Sequence, residues 1–254
     1  MEVVQAERPI RKAASRQETP LGIVFDMDDT LYLERDYVRS GFRAVAQAVA
    51  TRQEIPAETL FQWLWAQYEA GVRGNTFDCL REAFPALYAT VTVEEMVVTY
   101  REHLPSIAPL PGIKALLERL VGCGDKLGLL SDGPWICQRN KLCALGLEEH
   151  FQPALFSDAW GRAFWKPHVR GYALFSEQWG LASNRLIYIG DNPRKDFVTP
   201  NRLSWLTVRL RLPGQQHAAL EPSAREYAPH HEVFDLPSLE RLLNDSRSVV
   251  RSTS

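Results

Sequence analysis

The sequence predicts an α/β fold, a doubly wound parallel sheet with a small α-helical domain inserted into it. Three observations carry this. Short β-like apolar runs alternate with segments of helical period, which implies right-handed crossovers and a parallel sheet covered on both faces. Most of these runs end in polar residues, and open α/β sheets bind ligands at the carboxyl ends of their strands. One stretch of about 75 residues breaks the alternation with helical patterns alone, too long for a loop.

Residues 1–20 mix charges and lack a long apolar run, so they are expected to be a mobile segment and not a signal peptide. LGIVF (21–25) is the first strand. From 33 to 109 the periodicity is helical: Val38, Phe42, Val45 and Val49 form one stripe, and Phe61, Leu64, Trp65 and Tyr68 another. Thr92 followed by Glu95 reads as a capping box opening a further helix. Pro105, Pro109 and Pro111 mark the return to the sheet. The core is then 21–32 together with 110–243. Within it, Ile113, Leu116, Leu117 and Leu120 mark one helix and Tyr172, Phe175 and Trp179 a second. The remaining strands are KLGLLSD (126–132), PALFSD (153–158), RLIYIGD (185–191) and WLTVRL (205–210). Residues 244–254 are expected to be a mobile tail.

The 254 residues include 29 basic and 31 acidic side chains, a net charge of −2, with no long block of one sign. That balance argues against a nucleic-acid partner. No segment reaches the roughly 18 apolar residues of a membrane span. Cys79, Cys123, Cys137 and Cys143 lack CxxC spacing and read as reduced thiols, so a cytoplasmic location is expected.

Four polar tips carry candidate chemistry. Asp26-Met27-Asp28-Asp29-Thr30 follows the first strand. It is either a turn whose aspartates cap the next helix or a nucleophilic carboxylate, Asp26, with a second carboxylate, Asp28, placed to give and take a proton. Ser131-Asp132-Gly133 closes the second strand, as an ordinary turn or as a hydroxyl and backbone N–H groups that hold phosphate oxygens. Lys166 is a solvated lysine or an ammonium offsetting charge on a transferring phosphoryl group. Gly190-Asp191-Asn192-Pro193 ends the fourth strand, as a turn or as the place where Asp191 completes a Mg²⁺ site with Asp26. Clustered aspartates repel one another unless a divalent ion belongs to the design. Four such tips, in order on successive strand ends, favour a joint site over four separate turns.

These residues resemble the haloacid dehalogenase-like hydrolase superfamily, phosphatase type, from about Gly22 to Val208, with the helical insertion where many members carry a cap. The resemblance implies the strand order 5-4-1-2-3. It also implies Mg²⁺-dependent hydrolysis of a small phosphate monoester (a sugar phosphate, nucleotide or similar metabolite) through an aspartyl-phosphate. Asp26 would be the nucleophile and Asp28 the general acid/base. Ser131 and Lys166 would bind phosphate, with Asp132 grouped beside them. Asp26, the backbone carbonyl of Asp28, and Asp191 would hold Mg²⁺, with Asp196 and Thr30 behind them.

A phosphoglucomutase-like phosphotransferase would use the same two aspartates. Similar dehalogenases lack the second aspartate of the first motif, so Asp28 argues against halide removal. The intact motifs argue against a non-catalytic binding protein. In the insertion, "GVRGNTF" sets Arg73 between two glycines, as a solvated turn or as a fork of donors for a second group on the substrate.

Overall fold

The computed structural model describes residues 20–52 and 54–249, with 248 and 249 by backbone alone. The expectation for 1–20 therefore falls, apart from Pro20, outside the described residues. Six parallel strands form one sheet: β1 (Gly22–Phe25), β2 (Lys126–Ser131), β3 (Ala154–Phe156), β4 (Leu186–Gly190), β5 (Leu206–Leu210) and β6 (His231–Val233). Their spatial order is β3-β2-β1-β4-β5-β6. This is the expected five-strand order with β6 added at the edge beside β5.

The two faces of the sheet follow from alternation along each strand. Ile23, Phe25, Ile187 and Ile189 point to one side, where they meet α5 (Ile113–Gly122), α6 (Trp135–Leu145) and α9 (Leu236–Val249). Val24, Leu186 and Tyr188 point to the other, against α7 (Arg170–Trp179) and the residues Phe197 and Trp205 around α8 (Val198–Arg202). Gly22 is required by this packing: a Cβ there would lie 2.6 Å from the Trp179 ring. Because β1 is buried on both faces between β2 and β4, it reads as an unbroken apolar run.

Between β1 and β2 run α1 (Glu34–Ala50), α2 (Ala57–Glu69), α3 (Thr76–Ala83) and α4 (Val93–Glu102). They carry their own core: Val38, Phe42, Val45 and Val49 of α1 pack on Leu60, Phe61, Leu64 and Trp65 of α2, closed by Phe77, Leu80 and Met96. The capping box of α4 is formed, with Glu95 N–H donating to Thr92 Oγ1 and Thr92 N–H to Glu95 Oε2. Such a cap stabilises a helix by about 1 kcal/mol.

One boundary differs from expectation. The segment 244–254 does not begin as a mobile tail, because α9 continues to Val249 and Arg247 pairs with Asp125. That carboxylate also accepts from the Leu21 N–H just before β1, so the last helix is stitched to the first strand. No helix among the described residues is long and apolar enough to cross a membrane. The four cysteines are free thiols.

Candidate active site

The polar tips converge at the carboxyl ends of β1, β2 and β4. Asp26 extends β1 by one rung, its N–H donating to Ile189 O at 2.8 Å, and is 2% exposed. Lys166 Nζ donates to Asp26 Oδ1 at 2.6 Å, to Asp196 Oδ1 at 2.9 Å and to the Tyr188 hydroxyl at 2.9 Å. Burial opposes the charge on Lys166, but Asp196 and Asp26 outweigh it and hold the ammonium protonated. Asp196 is fixed on its other oxygen by the Asn192 N–H. Gly190 makes this approach feasible, since a Cβ would stand 2.6 Å from Asp196 Oδ2.

Asp191 is 3% exposed, and its Oδ2 has no hydrogen-bond partner. Burial first, then Asp196 and Asp26, push its carboxyl well above the usual range. Asp26 is pushed up to about 6, chiefly by burial, against the pull of Lys166. Oxygens of Asp26, Asp191 and Asp196 lie within 4.8 Å of one another. Both Asp196 oxygens are already engaged, so Asp26 and Asp191 are the carboxylates with capacity to spare. An orphaned buried carboxylate oxygen in an all-oxygen cluster suits a hard divalent cation. Around the site Asp26, Asp28, Asp132, Asp191 and Asp196 meet Lys141, Lys166 and Lys195.

Asp28 faces α6. Its Oδ1 accepts from Lys141 Nζ at 2.8 Å and from the Tyr32 hydroxyl, and its Oδ2 from Gln138 Nε2 at 2.8 Å. Burial raises its proton affinity, but the charge and hydrogen bond of Lys141, then Tyr32 and Gln138, bring it below the usual range. The same Gln138 amide donates to Ser131 Oγ at 2.6 Å, so one side chain aligns the tips of β1 and β2.

Asp132 differs from its grouping with the phosphate ligands. Its Oδ1 accepts from Ser157 Oγ at 2.6 Å and from the Lys166 N–H at 3.0 Å, while Oδ2 pairs with Lys195 at 3.5 Å. A carboxylate only accepts, and these donors turn Asp132 into a brace for the Lys166 loop. Thr30 is fully buried, and its hydroxyl has no partner. Asp29 takes the left-handed conformation at φ 55°, caps α1 through the Glu34 N–H, and accepts from the Gln216 N–H. Arg73 is exposed: it stacks 3.8 Å from the centre of the Tyr68 ring and donates to the Tyr68 and Val72 carbonyls. It closes the end of α2 and has no hydrogen bond or ion pair with the carboxylate cluster.

Sequence reasoning missed Gln138 and Lys141, although a signal exists. Gln138, Lys141, Leu142 and Leu145 are all buried at i, i+3, i+4 and i+7 of α6, so two polar residues occupy a core stripe. Arg209 was also missed. It is 1% exposed, lies on β5 beside β4, and donates through Nε to the Asp191 carbonyl at 2.9 Å. Glu34, at the start of α1, is pushed up to about 7 by burial and by the charge of Asp28.

Known proteins resemble this chain to different degrees. Over 194 residues the chain is 31% identical to a glyceraldehyde 3-phosphate phosphatase of Methanocaldococcus jannaschii, covering 74% of this chain and 84% of that protein. A phosphoserine phosphatase of Thermus thermophilus is 28% identical over 252 residues, covering 84% and 95%. Among solved structures, the HAD-hydrolase YfnB of Bacillus subtilis bound to magnesium superposes with a TM-score of 0.60 at 20% identity, covering 89% of this chain and 99% of that one. The profile of the haloacid dehalogenase-like hydrolases matches residues 23–202, which span β1 to α8 and every strand-end motif described above. The chain therefore belongs to the haloacid dehalogenase-like hydrolases and is an enzyme of that family.

Proposed function

We propose that the enzyme is a Mg²⁺-dependent phosphatase that hydrolyses a small phosphate monoester through an aspartyl-phosphate at Asp26. The observation that carries this reading is the buried Asp26 carboxylate, held between the Lys166 ammonium and the unpartnered carboxylate of Asp191. The relatives named for glyceraldehyde 3-phosphate and phosphoserine support a small phosphate ester as substrate. The neighbour bound to magnesium supports the choice of ion.

An oxygen of Asp26 attacks phosphorus while the bond from phosphorus to the departing alcohol breaks. Asp28 protonates that alcohol. An anionic phosphate arriving beside Asp28 raises its proton affinity against the hold of Lys141, because like charges oppose ionisation. Water then attacks phosphorus, Asp28 takes its proton, and the Asp26 carboxylate is released. Lys166 and the Ser131 hydroxyl hold the phosphoryl oxygens. Mg²⁺ held by Asp26, Asp191 and the Asp28 carbonyl would orient the phosphate and offset its charge. The helices of 33–109 form the cap, which closes over the strand ends, excludes water and selects the rest of the substrate.

A phosphate-release screen with Mg²⁺ over sugar phosphates, nucleotides, phosphoserine, glyceraldehyde 3-phosphate and phosphoglycolate tests this. Release from one small ester well above the rest is expected. Interconversion of sugar phosphates without release would assign the same site to phosphoryl transfer instead.

A further inference from the structure

Lys141 is a buried cation that the steps above leave without a part of its own. Its side chain is 5% exposed, and Nζ donates to Asp28 Oδ1 at 2.8 Å. With Tyr32 on the same oxygen and Gln138 on the other, Asp28 is gripped from three directions. Two of those donors come from one turn of α6, so that helix dictates where the carboxylate points.

The ammonium is itself held from the inserted helices. It lies 4.2 Å from the centre of the Tyr37 ring, on α1. The Tyr37 hydroxyl donates to the Tyr100 carbonyl of α4 and accepts from Cys137 Sγ of α6. Beside it, Asn140 of α6 donates to the Glu102 carbonyl at the end of α4. Lys141 thus touches both the Asp28 carboxylate and the foot of the insertion.

We infer that Lys141 is a positioning residue that aims the Asp28 carboxylate at the phosphoryl site, and is kept in place by the Tyr37 ring of the inserted helix. Its effect on turnover rests on the phosphatase reading; its grip on Asp28 does not. Without the ammonium, Asp28 keeps only two neutral donors and is free to turn about its side-chain bonds. Proton transfer to and from the reacting oxygens then suffers, while substrate binding through Lys166 and Ser131 persists.

A double-mutant cycle of Lys141→Met with Asp28→Asn tests this, read by kinetics on an alkyl and an aryl phosphate and by melting temperature. Lys141→Met alone is expected to lower kcat about tenfold or more on the alkyl ester, less on the aryl ester, with KM within about twofold. Lys141→Arg, which keeps the charge, recovers most of that loss. In the Asp28→Asn background the methionine costs less than about twofold, because the two residues act as one unit. The melting temperatures show the same non-additivity, a readout that stands even if no ester is hydrolysed. Should the methionine variant fail to fold, Lys141→Gln carries the same expectations. Additive losses in rate and in melting temperature, or equal losses on both esters, overturn the inference. Absence of phosphate release from wild-type enzyme, with the coupling in melting temperature intact, overturns the phosphatase reading alone.

Discussion

Lys166 Nζ donates to Asp26 Oδ1 at 2.6 Å across 140 residues of sequence, and both side chains are almost wholly shut away from water. The ammonium holds one oxygen of the carboxylate at the strand end and leaves the other without that bond. This pair is the centre of the proposed chemistry.

Asp26→Asn is expected to reduce turnover by about a thousandfold or more while the fold persists. The amide keeps the volume of the carboxylate but neither attacks phosphorus nor pairs fully with Lys166. Phosphate release together with far-ultraviolet circular dichroism checks both halves of the statement.

Asp28→Asn is expected to cost more with an alkyl phosphate than with an aryl phosphate, whose leaving group needs less help from an acid. The ratio of the two losses is the measurement. A ratio of one assigns Asp28 a different task.

Asp191→Asn separates metal binding from folding. The Asp191 carboxyl is buried beside Asp26 and Asp196, and its Oδ2 has no hydrogen-bond partner. Replacing this acid, whose ionisation the fold opposes, by a neutral amide is expected to raise the melting temperature measured in EDTA. Mg²⁺ is expected to raise the melting temperature of the wild type and to have little effect on the variant. Activity of the wild type is expected to be lost on chelation.

Glu34→Gln tests the electrostatics at the mouth of the site. Glu34 is raised from 4.5 to about 7 by burial and by Asp28. Between those values the folded protein keeps a proton that the unfolded chain has lost, so this residue makes stability fall as pH rises through that window. The glutamine variant is expected to match the wild type near pH 4 and to melt a few degrees higher near pH 8, about the shift that one or two kcal/mol produce. Thermal melts at the two pH values decide it.

Much of this was legible in the chain because the physics is local. Apolar runs ending in Asp26, Ser131 and Asp191 mark strands whose tips must meet, and the stripe of Val38, Phe42, Val45 and Val49 marks a helix. Other features rest on contacts between distant segments. "SDG" alone leaves the direction of Asp132 open, and that direction is decided by Ser157, Lys166 and Lys195, which arrive from later in the chain. β6 has three residues and no apolar alternation, and it exists because the edge of β5 offers a ladder. The end of the last helix, from 244 on, reads as a tail because Asp125, the partner of Arg247, lies far back in the sequence.

The stereochemical course at phosphorus tests the covalent pathway most directly. An isotopically chiral thiophosphate monoester would be turned over with Mg²⁺ and the configuration of the released thiophosphate determined. Two successive in-line displacements, first by Asp26 and then by water, predict net retention. Net inversion would mean that water attacks the substrate directly, and would contradict the assignment of Asp26 as nucleophile.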